Sequence, residues 1–184
     1  MDGNKLGSDN QLANVGSYNN VTINNTTTDF FGIYKSVQAY FDYKKYQITI
    51  TQQNLEPLHH LIRKALLTTQ PKTQDFTDSI FKLYEEGDVK ISMATLRVIE
   101  YMDDELLEAI IAIYDIVFAN KQKELLCINI KSFPEDNREY CFQCIAKMRE
   151  FQLVWQPGGA LLGGEKVFQI HQPALDIYNM YKSR

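Results

Sequence analysis

The sequence predicts a mainly helical protein of the α+β type, with a short β segment near its start. From residue 54 onward, apolar residues recur three and four positions apart, which places them along one side of a helix. Before residue 29 the chain consists largely of Asn, Thr, Ser and Gly, with one short alternation of apolar and polar residues. We therefore expect three parts: an Asn/Thr-rich segment at 1–28, an aromatic-rich connection at 29–53 and a helical body at 54–184.

The composition excludes several classes of protein. A chain of 184 residues suits one domain, or one domain with an appendage. Its net charge of −4 does not favour binding to duplex nucleic acid, which usually requires a basic surface. There is no apolar run of the length needed to span a membrane, and Met1–Asn4 does not resemble the start of a signal peptide. Three cysteines are too few for a disulfide scaffold, so we expect a cytoplasmic protein.

The first 28 residues, the N-terminal segment, contain a nine-residue period. Residues 7–12 (GSDNQL) align with residues 16–21 (GSYNNV), and the second copy continues into the strand-like alternation of 21–24. Two such short strands bury too little apolar surface to be stable alone, so the segment either pairs with copies from other chains or is a disordered tail. We favour self-association, since a tail needs no period. The predicted contacts are Leu12, Val15, Val21 and Ile23.

The connection at 29–53 carries seven aromatic side chains between Phe30 and Tyr46. The spacing of Tyr34, Val37 and Phe41 predicts a helix over 30–43. The alternation over 46–51 predicts a strand.

Four helices are predicted in the first part of the body. The first starts after Asn54 as its N-cap, with Leu66 in its apolar stripe, and ends before Pro71. The second runs from a cap at Asp75 to Gly87. The third opens at Ser92 with Leu96 and Ile99 facing inward, and the fourth opens at Asp103–Asp104 and continues to about Ala119. This fourth helix is so apolar that we expect it at the centre of the core.

The last part of the body predicts an alternation of helices and short strands. A strand or turn at 125–130 is followed by a helix over 138–151, a strand at 153–155, a Gly-rich loop at 156–164, a strand at 166–170 and a helix from Pro173. A helix followed by a strand, a Gly-rich loop and a second strand is the order of a winged helix. We therefore expect a winged-helix-like unit over about 92–184.

One stretch resembles part of a known group of proteins. Residues 80–96 (IFKLYEEGDVKISMATL) are similar to a stretch in uncharacterised bacterial proteins, where a Ser-x-x-Thr-Leu helix start precedes a winged-helix-like end. Several of those proteins carry Asn-rich repeats ahead of the body, as do proteins encoded in antiphage systems. The resemblance implies a bacterial or phage setting of defence or counter-defence, and it brings no catalytic residues with it.

Two local motifs are weak candidates for chemistry. Cys141 and Cys144 have the Cys-x-x-Cys spacing, but a zinc site needs four ligands and Cys127 is the one other thiol. Their helical surroundings predict buried, inert cysteines, with no metal and no cofactor. Residues 158–166 (GGALLGGEK) resemble a phosphate-binding loop, but Glu165 stands where that loop requires lysine, so we expect a hairpin tip.

Three hypotheses on function follow. The first is a non-enzymatic adaptor that self-associates through its N-terminal segment and binds a protein partner. Its anchors would be aromatic side chains that prove exposed, namely Tyr34, Tyr40, Tyr43 and Trp155. The second is an oligomeric winged-helix DNA-binding regulator, with Arg138, Lys147 and Arg149 in the helix that enters the major groove. The third is a small metal- or nucleotide-dependent enzyme whose site is not apparent in local motifs.

Overall fold

The structure, a computed structural model, describes residues 12–15, 18–22, 30–87, 89–121, 124–156 and 167–183. Contacts divide the chain into two units, Met1–His59 and His60–Arg184, which are described separately below. The described residues are mainly helical, as the sequence predicts. In order the elements are β1 (Leu12–Val15), β2 (Tyr18–Thr22), α1 (Phe30–Lys44), α2 (Leu55–Leu67), α3 (Pro71–Glu86), α4 (Met93–Tyr101), α5 (Asp104–Ala119), β3 (Cys127–Asn129), α6 (Glu135–Glu150), β4 (Val154–Trp155), β5 (Val167–Ile170) and α7 (Gln172–Lys182).

The first unit begins with two short antiparallel strands, β1 and β2. The register shifts between Ala13 and Val15, so the ladder is irregular. The strand predicted over 21–24 overlaps the end of β2, and Ile23 lies outside the described residues. The paired residues are Leu12 with Thr22, Ala13 with Val21, and Val15 with Tyr18.

Helix α1 matches the helix predicted over 30–43, and it ends in a left-handed turn. Lys45 adopts a φ of 62°, and the Tyr46 N–H donates to the Phe41 carbonyl at 3.0 Å. This bond, from the second residue beyond the helix to the last turn, defines a Schellman motif. The rings of Phe41 and Tyr46 meet edge to face at 6.2 Å, which supplies the apolar contact that accompanies the motif.

The strand predicted over 46–51 is wrong. The chain has no regular secondary structure from 46 to 50, although burial alternates along it. Ile50 is buried and Ile48 is half-buried, whereas Gln47 and Thr49 are exposed. The alternation in the sequence therefore reports which side chains face inward. It does not require a hydrogen-bonded neighbour, and the segment pairs with no strand among the described residues.

Helix α2 begins at Leu55, directly after Asn54 as predicted, and the Leu58 N–H donates to the Asn54 carbonyl at 2.9 Å. The Asn54 side chain bonds to the turn that precedes the helix. The Asn54 N–H donates to Thr51 Oγ1 at 3.2 Å, and the Thr51 N–H donates to Asn54 Oδ1 at 2.7 Å. This reciprocal pair has the pattern of a capping box, with Asn54 in the place usually taken by Glu or Gln. The Leu55 N–H donates to the Thr51 carbonyl at 3.0 Å, so a hydrogen-bonded turn over residues 51–55 leads into the helix.

The apolar stripe of α2 also differs from the expected one. Leu58, Leu61 and Ile62 are buried, whereas the predicted Leu66 is 67% exposed and the neighbouring Leu67 is 74% exposed. Leu66 and Leu67 lie in the last turn of the helix. Helical periodicity identifies the side of the helix that a residue occupies but does not show where the covering elements end.

The core of the second unit is built around α5, as predicted. This helix packs against α3, α6 and α7, and the Asp103 side chain caps it by accepting from the Leu106 N–H at 2.7 Å. Helix α4 opens at Ser92, whose Oγ accepts from the Thr95 N–H at 3.1 Å, so that prediction is also confirmed. None of the described helices is both long enough and apolar enough to cross a bilayer. The buried residues of α5 are Leu106, Leu107, Ala109, Ile110, Ile113, Tyr114 and Val117.

Helix α3 begins at Pro71, four residues before the predicted cap at Asp75. Proline is favoured at the first helical position, because its fixed φ suits a helix and its missing N–H needs no partner there. The next two N–H groups, of Lys72 and Thr73, donate to the Asp104 carboxylate at 3.3 and 2.7 Å. In return the Asp104 N–H donates to the Gln70 side-chain oxygen, so α3 and α5 cap each other.

A three-stranded antiparallel sheet completes the second unit, with strand order β3-β5-β4. The strands lie at the places that the sequence predicts. Phe168 and Ile170 of the middle strand are buried. Helix α6 precedes β4 in the chain, and it starts at Glu135, three residues before the predicted Arg138. The hairpin tip predicted at residues 158–166 lies outside the described residues.

Candidate interaction groove

One groove of the second unit combines apolar, aromatic and acidic side chains. Its volume is about 430 Å³, within the range of sites that bind small molecules or peptide side chains. Helix α5 forms its base, because residues 107, 108, 111, 112 and 115 share one side of a helix. The lining residues are Lys72 and Asp75 from α3, Leu107, Glu108, Ile111, Ala112 and Asp115 from α5, Tyr140 from α6 and Tyr181 from α7.

The base of the groove is apolar and its walls are aromatic. Leu107 is buried, and Ile111 and Ala112 are half-buried. Tyr140 is 50% exposed and stands on one wall, and the half-buried Tyr181 stands on another. Tyrosine, with tryptophan and arginine, is enriched among the side chains that anchor protein partners, and a partly exposed phenol beside an apolar surface suits that role.

The charged side chains give the groove an excess of negative charge. Asp75, Glu108 and Asp115 stand against Lys72 in the lining and Lys182 beside it, which leaves a formal charge of −1. Lys72 is itself paired with Glu108. Asp75 is exposed and forms no ion pair with any described residue. The groove therefore offers at least one carboxylate that a cation from outside can approach.

Asp115 is held ionised by two neighbours from α7. Lys182 Nζ lies 2.8 Å from Asp115 Oδ1, and the Tyr178 hydroxyl donates to the same oxygen at 2.8 Å. Desolvation opposes ionisation of this carboxyl, but the hydrogen bonds from Lys182 and Tyr178 outweigh it and hold its pKa below the usual value. Burial, followed by the bond to Asp115, raises the pKa of Tyr178 to about 12, so this phenol stays protonated at neutral pH.

The three cysteines are free thiols, and two of them are buried residues of α6. Cys141 and Cys144 are buried as predicted, and Cys127 is half-buried. Burial raises the pKa of Cys141 to about 11 and moves that of Cys144 in the same direction. Within the described ranges, no three His, Cys, Asp or Glu side chains are grouped so that they could hold a metal ion.

Two of the three cations proposed to contact DNA form hydrogen bonds or ion pairs with other groups of this protein. Arg138 donates to the Phe133 carbonyl at 3.2 Å and to the Lys131 carbonyl at 3.3 Å. Lys147 Nζ lies 2.9 Å from Asp103 and 3.0 Å from Glu105, and these hydrogen bonds raise its pKa above the usual value. Of the three, Arg149 is exposed, whereas Arg138 and Lys147 are half-buried. The exposed acids of the same helix are Glu135, Asp136, Glu139 and Glu150.

The exposure that the aromatic anchors require is present for two of the four predicted residues. Tyr43 is 81% exposed and Trp155 is 54% exposed. Tyr34 and Tyr40 are buried at 9% and 8% exposure, so the prediction is wrong for them. Both belong to the inward stripe of α1 together with Val37, a pattern that the helical spacing already contained.

Sequence reasoning did not identify Tyr140 as an anchor, although a signal was present. The buried residues of α6 are Cys141, Cys144, Ile145 and Met148, which define one side of the helix. Tyr140 lies four positions before Cys144 and beside Cys141, at the edge of that side. The Coulombic effect of Cys144, followed by burial, raises the pKa of Tyr140, so this phenol also stays protonated at neutral pH.

Two further cavities are less suited to binding a partner. One, of about 290 Å³, lies where α2 and α4 end, and there Lys64 Nζ donates to the Met102 carbonyl. Desolvation by burial lowers the pKa of Lys64, and its ammonium is used to cap α4. The other, of about 510 Å³, lies beside β3 and β5 next to residues that the structure does not describe.

The described groove can therefore bind a partner through an apolar base, two phenol rings and carboxylate oxygens. Its lining contains no Ser, Cys or His that would serve as a nucleophile or a proton relay. The chain was compared with protein-family models, with curated proteins and with solved structures, and no match was found.

Proposed function

We propose that this protein is a non-enzymatic adaptor, which self-associates through its N-terminal segment and binds a protein partner through its body. The observation that carries the second part is the surface of α6 and the groove beside it. Two of the four exposed acids of α6 pair with cations of the same helix, and the other two, Asp136 and Glu139, accompany one exposed arginine, Arg149. Such a surface repels phosphate, whereas the half-exposed Tyr140 and the apolar base beside it suit a protein.

A winged-helix-like form of the last part of the body is included in this proposal. The sheet order β3-β5-β4 supports it, because the strand that precedes α6 then pairs with the second strand of the hairpin that follows α6. In a winged helix the loop of that hairpin is the wing, which corresponds to residues between β4 and β5. Winged helices serve as protein-interaction modules as well as DNA-binding modules.

Self-association is supported by the small size of the β1–β2 pair. Its strands have four and five residues, and their sheet contains two strands among the described residues. An isolated pair of strands is marginally stable in water, and its outer edges present unpaired N–H and C=O groups to a neighbour. Pairing with copies from other chains would satisfy those groups. Joined copies would also bind a partner with higher avidity.

The setting that we propose is the cytoplasm of a bacterium, in defence against phage or in its counter-defence. It rests on the resemblance carried by residues 80–96 and on the Asn-rich composition of residues 1–28. The three free thiols fit a reducing compartment.

Self-association is tested by measuring the mass of the full chain in solution by light scattering. We expect the wild-type chain to be a multimer and the double variant Leu12→Asp, Val21→Asp to have a lower mass, because charges on both strands repel neighbouring copies. Ala39→Asp adds a carboxylate at an exposed position of α1 and should keep the wild-type mass. A wild-type monomer, or a double variant of unchanged mass, contradicts self-association.

A DNA-binding regulator is the second candidate, because the sheet order that supports the winged-helix proposal also suits DNA binding. The measurement is binding to a duplex at several salt concentrations. A regulator would show affinity that falls steeply with salt and weakens further in Arg149→Ala. We expect no such binding, since Arg138 and Lys147 are held by contacts within the protein.

A further inference from the structure

We infer that the groove of α3, α5, Tyr140 and Tyr181 binds a positively charged segment of the partner, in which Arg or Lys side chains alternate with apolar ones. This inference rests on the proposed function, and it specifies the partner's chemistry. It applies to the second unit alone, since every lining residue belongs to His60–Arg184.

The first argument is charge complementarity. With Lys182, which pairs with Asp115, the lining carries a formal charge of −1, and Asp75 is its carboxylate without an ion pair among the described residues. Asp136 adds an exposed carboxylate on the same side of α6 as Tyr140, since it lies four positions before that residue. Acidic or phosphorylated partners would meet like charges at this surface, which disfavours their binding.

The second argument is the nature of the surface between the charges. Ile111 and Ala112 are half-buried at the base, so they are ready to be covered by apolar side chains of a partner. The Tyr140 and Tyr181 rings border this base, and an Arg guanidinium can stack on a phenol ring while it pairs with a carboxylate. The fold already uses cation–ring contact at this place, since Lys182 Nζ lies 5.9 Å from the centroid of the Tyr181 ring.

The third argument is access. The side chains of Lys72 and Glu108 are 62% and 46% exposed, and Tyr140 is 50% exposed. The mouth of the groove therefore faces solvent. A volume of about 430 Å³ accommodates a few side chains of a peptide and is too small for a folded domain. We therefore assign the groove to an extended or helical segment of the partner.

The test uses the full-length protein and a pair of defined, fluorescently labelled peptides. One peptide alternates leucine with arginine, and the other alternates leucine with glutamate. Fluorescence anisotropy should show that the arginine peptide binds about tenfold more tightly than the glutamate peptide at low salt, and that added salt weakens this binding. Equal binding of the two peptides, or binding of neither, overturns the inference.

Variants then locate the binding site. Asp75→Lys should weaken binding of the arginine peptide by about fivefold or more, because it reverses the accessible charge in the groove. Glu86→Lys makes the same change of net charge on the same helix, but eleven residues away, about 16 Å along the axis. It should leave the affinity within about twofold of wild type. An equal loss in both variants would mean diffuse attraction to an acidic protein and would overturn the groove assignment.

A third variant tests the aromatic wall. Tyr140→Ala should weaken binding, whereas Tyr140→Phe keeps the ring and should bind like the wild type. Circular dichroism of each variant confirms that the helices are retained. These outcomes are independent of the mass measurement. A multimer that does not bind the arginine peptide contradicts only the proposed binding in the groove. A monomer that binds the peptide contradicts only self-association.

Discussion

At the scale of single residues, the most unusual side chain is Tyr114, at the centre of α5. It is fully buried, its ring packs 5.1 Å from that of Tyr178, and its hydroxyl has no hydrogen-bond partner among the described residues. Burial and, to a lesser degree, the charge of Asp176 raise the pKa of Tyr114. A buried hydroxyl without a partner destabilises a fold by about 1–3 kcal/mol. Tyr114 therefore provides packing at the expense of an unsatisfied polar group.

We predict that Tyr114→Phe stabilises the protein by about 1 kcal/mol, because it keeps the ring and removes the unsatisfied hydroxyl. The measurement is the free energy of unfolding in urea. Tyr178→Phe is the matched control. It removes a phenol that donates to Asp115 at 2.8 Å and should destabilise the protein by about 1 kcal/mol. A loss of stability in Tyr114→Phe as large as that in Tyr178→Phe would show that the Tyr114 hydroxyl is satisfied in solution.

At the scale of secondary-structure elements, the junction of α3 and α5 depends on reciprocal capping. Asp104 Oδ1 accepts from both the N–H and the hydroxyl of Thr73 at 2.7 Å, and Gln70 accepts from the Asp104 N–H. Desolvation opposes ionisation of Asp104, but the hydrogen bonds from Thr73 and Lys72 outweigh it and hold its pKa below the usual value. The first turns of both helices are thus stabilised by a contact between them.

The lowered pKa of Asp104 gives its contribution a definite pH dependence. Because the folded-state pKa lies below that of the unfolded chain, about 3.9, the contribution is complete above that pH and is lost as the pH falls through the folded value. We predict that Asp104→Ala lowers the free energy of unfolding at pH 7 by about 1–2 kcal/mol, a typical effect of losing a helix cap. The difference between variant and wild type should shrink as the solution is acidified.

The control for this experiment is Glu139→Gln, which removes an exposed carboxylate from α6. Its unfolding curve should follow that of the wild type at every pH, since surface charges of this kind contribute little. If the difference caused by Asp104→Ala instead grew on acidification, the carboxylate would not be stabilising the folded chain through its charged form.

At the scale of the whole molecule, the rate at which the cysteines are modified measures how stably the helices of the second unit pack. Cys141 and Cys144 lie on the buried side of α6, which packs against α5, whereas Cys127 is half-buried on the edge strand β3. A thiol reacts as its thiolate, and burial raises the pKa of Cys141 to about 11. Modification of the two buried thiols therefore requires the helices to separate.

We predict that a thiol reagent modifies Cys127 first and reaches Cys141 and Cys144 only as fast as the unit opens. Mass spectrometry over time should show one rapid addition and two slow ones, and all three additions should be rapid in denaturant. Cys127→Ser removes the rapid addition. Rapid modification of Cys141 or Cys144 in the folded chain would contradict stable packing of α6 on α5.

The features of the fold that could be predicted are those whose interacting residues lie close together in the sequence. Ser92 and Asp103 were correctly identified as helix caps because their partners, Thr95 and Leu106, lie three residues away. Asp75 was wrongly chosen as the cap of α3, because the carboxylate that serves this helix is Asp104, thirty-one residues beyond Thr73. The local sequence shows which N–H groups at the start of a helix can be capped by nearby side chains. It does not identify capping side chains that are distant in the chain.

The candidate groove was not predictable as a whole for the same reason. Apart from the buried Leu107, its residues are exposed or half-buried positions of their own helices, and the lining comes from α3, α5, α6 and α7. The partner-binding anchors proposed from the sequence were single aromatics. Two of these, Tyr34 and Tyr40, face inward, since an apolar stripe uses aromatic and aliphatic side chains alike.

The sequence by itself determined the mainly helical character of this protein, the central place of α5 and the positions of the three strands of the β3-β5-β4 sheet. These features follow from the periodicity of apolar residues, from caps and from turns, which act over a few residues. Tertiary structure alone decided which helices cap one another and which cations form ion pairs with carboxylates. It also decided where an acidic, aromatic groove lies open to solvent. Those properties depend on contacts between residues far apart in the chain, whose geometry no local pattern contains.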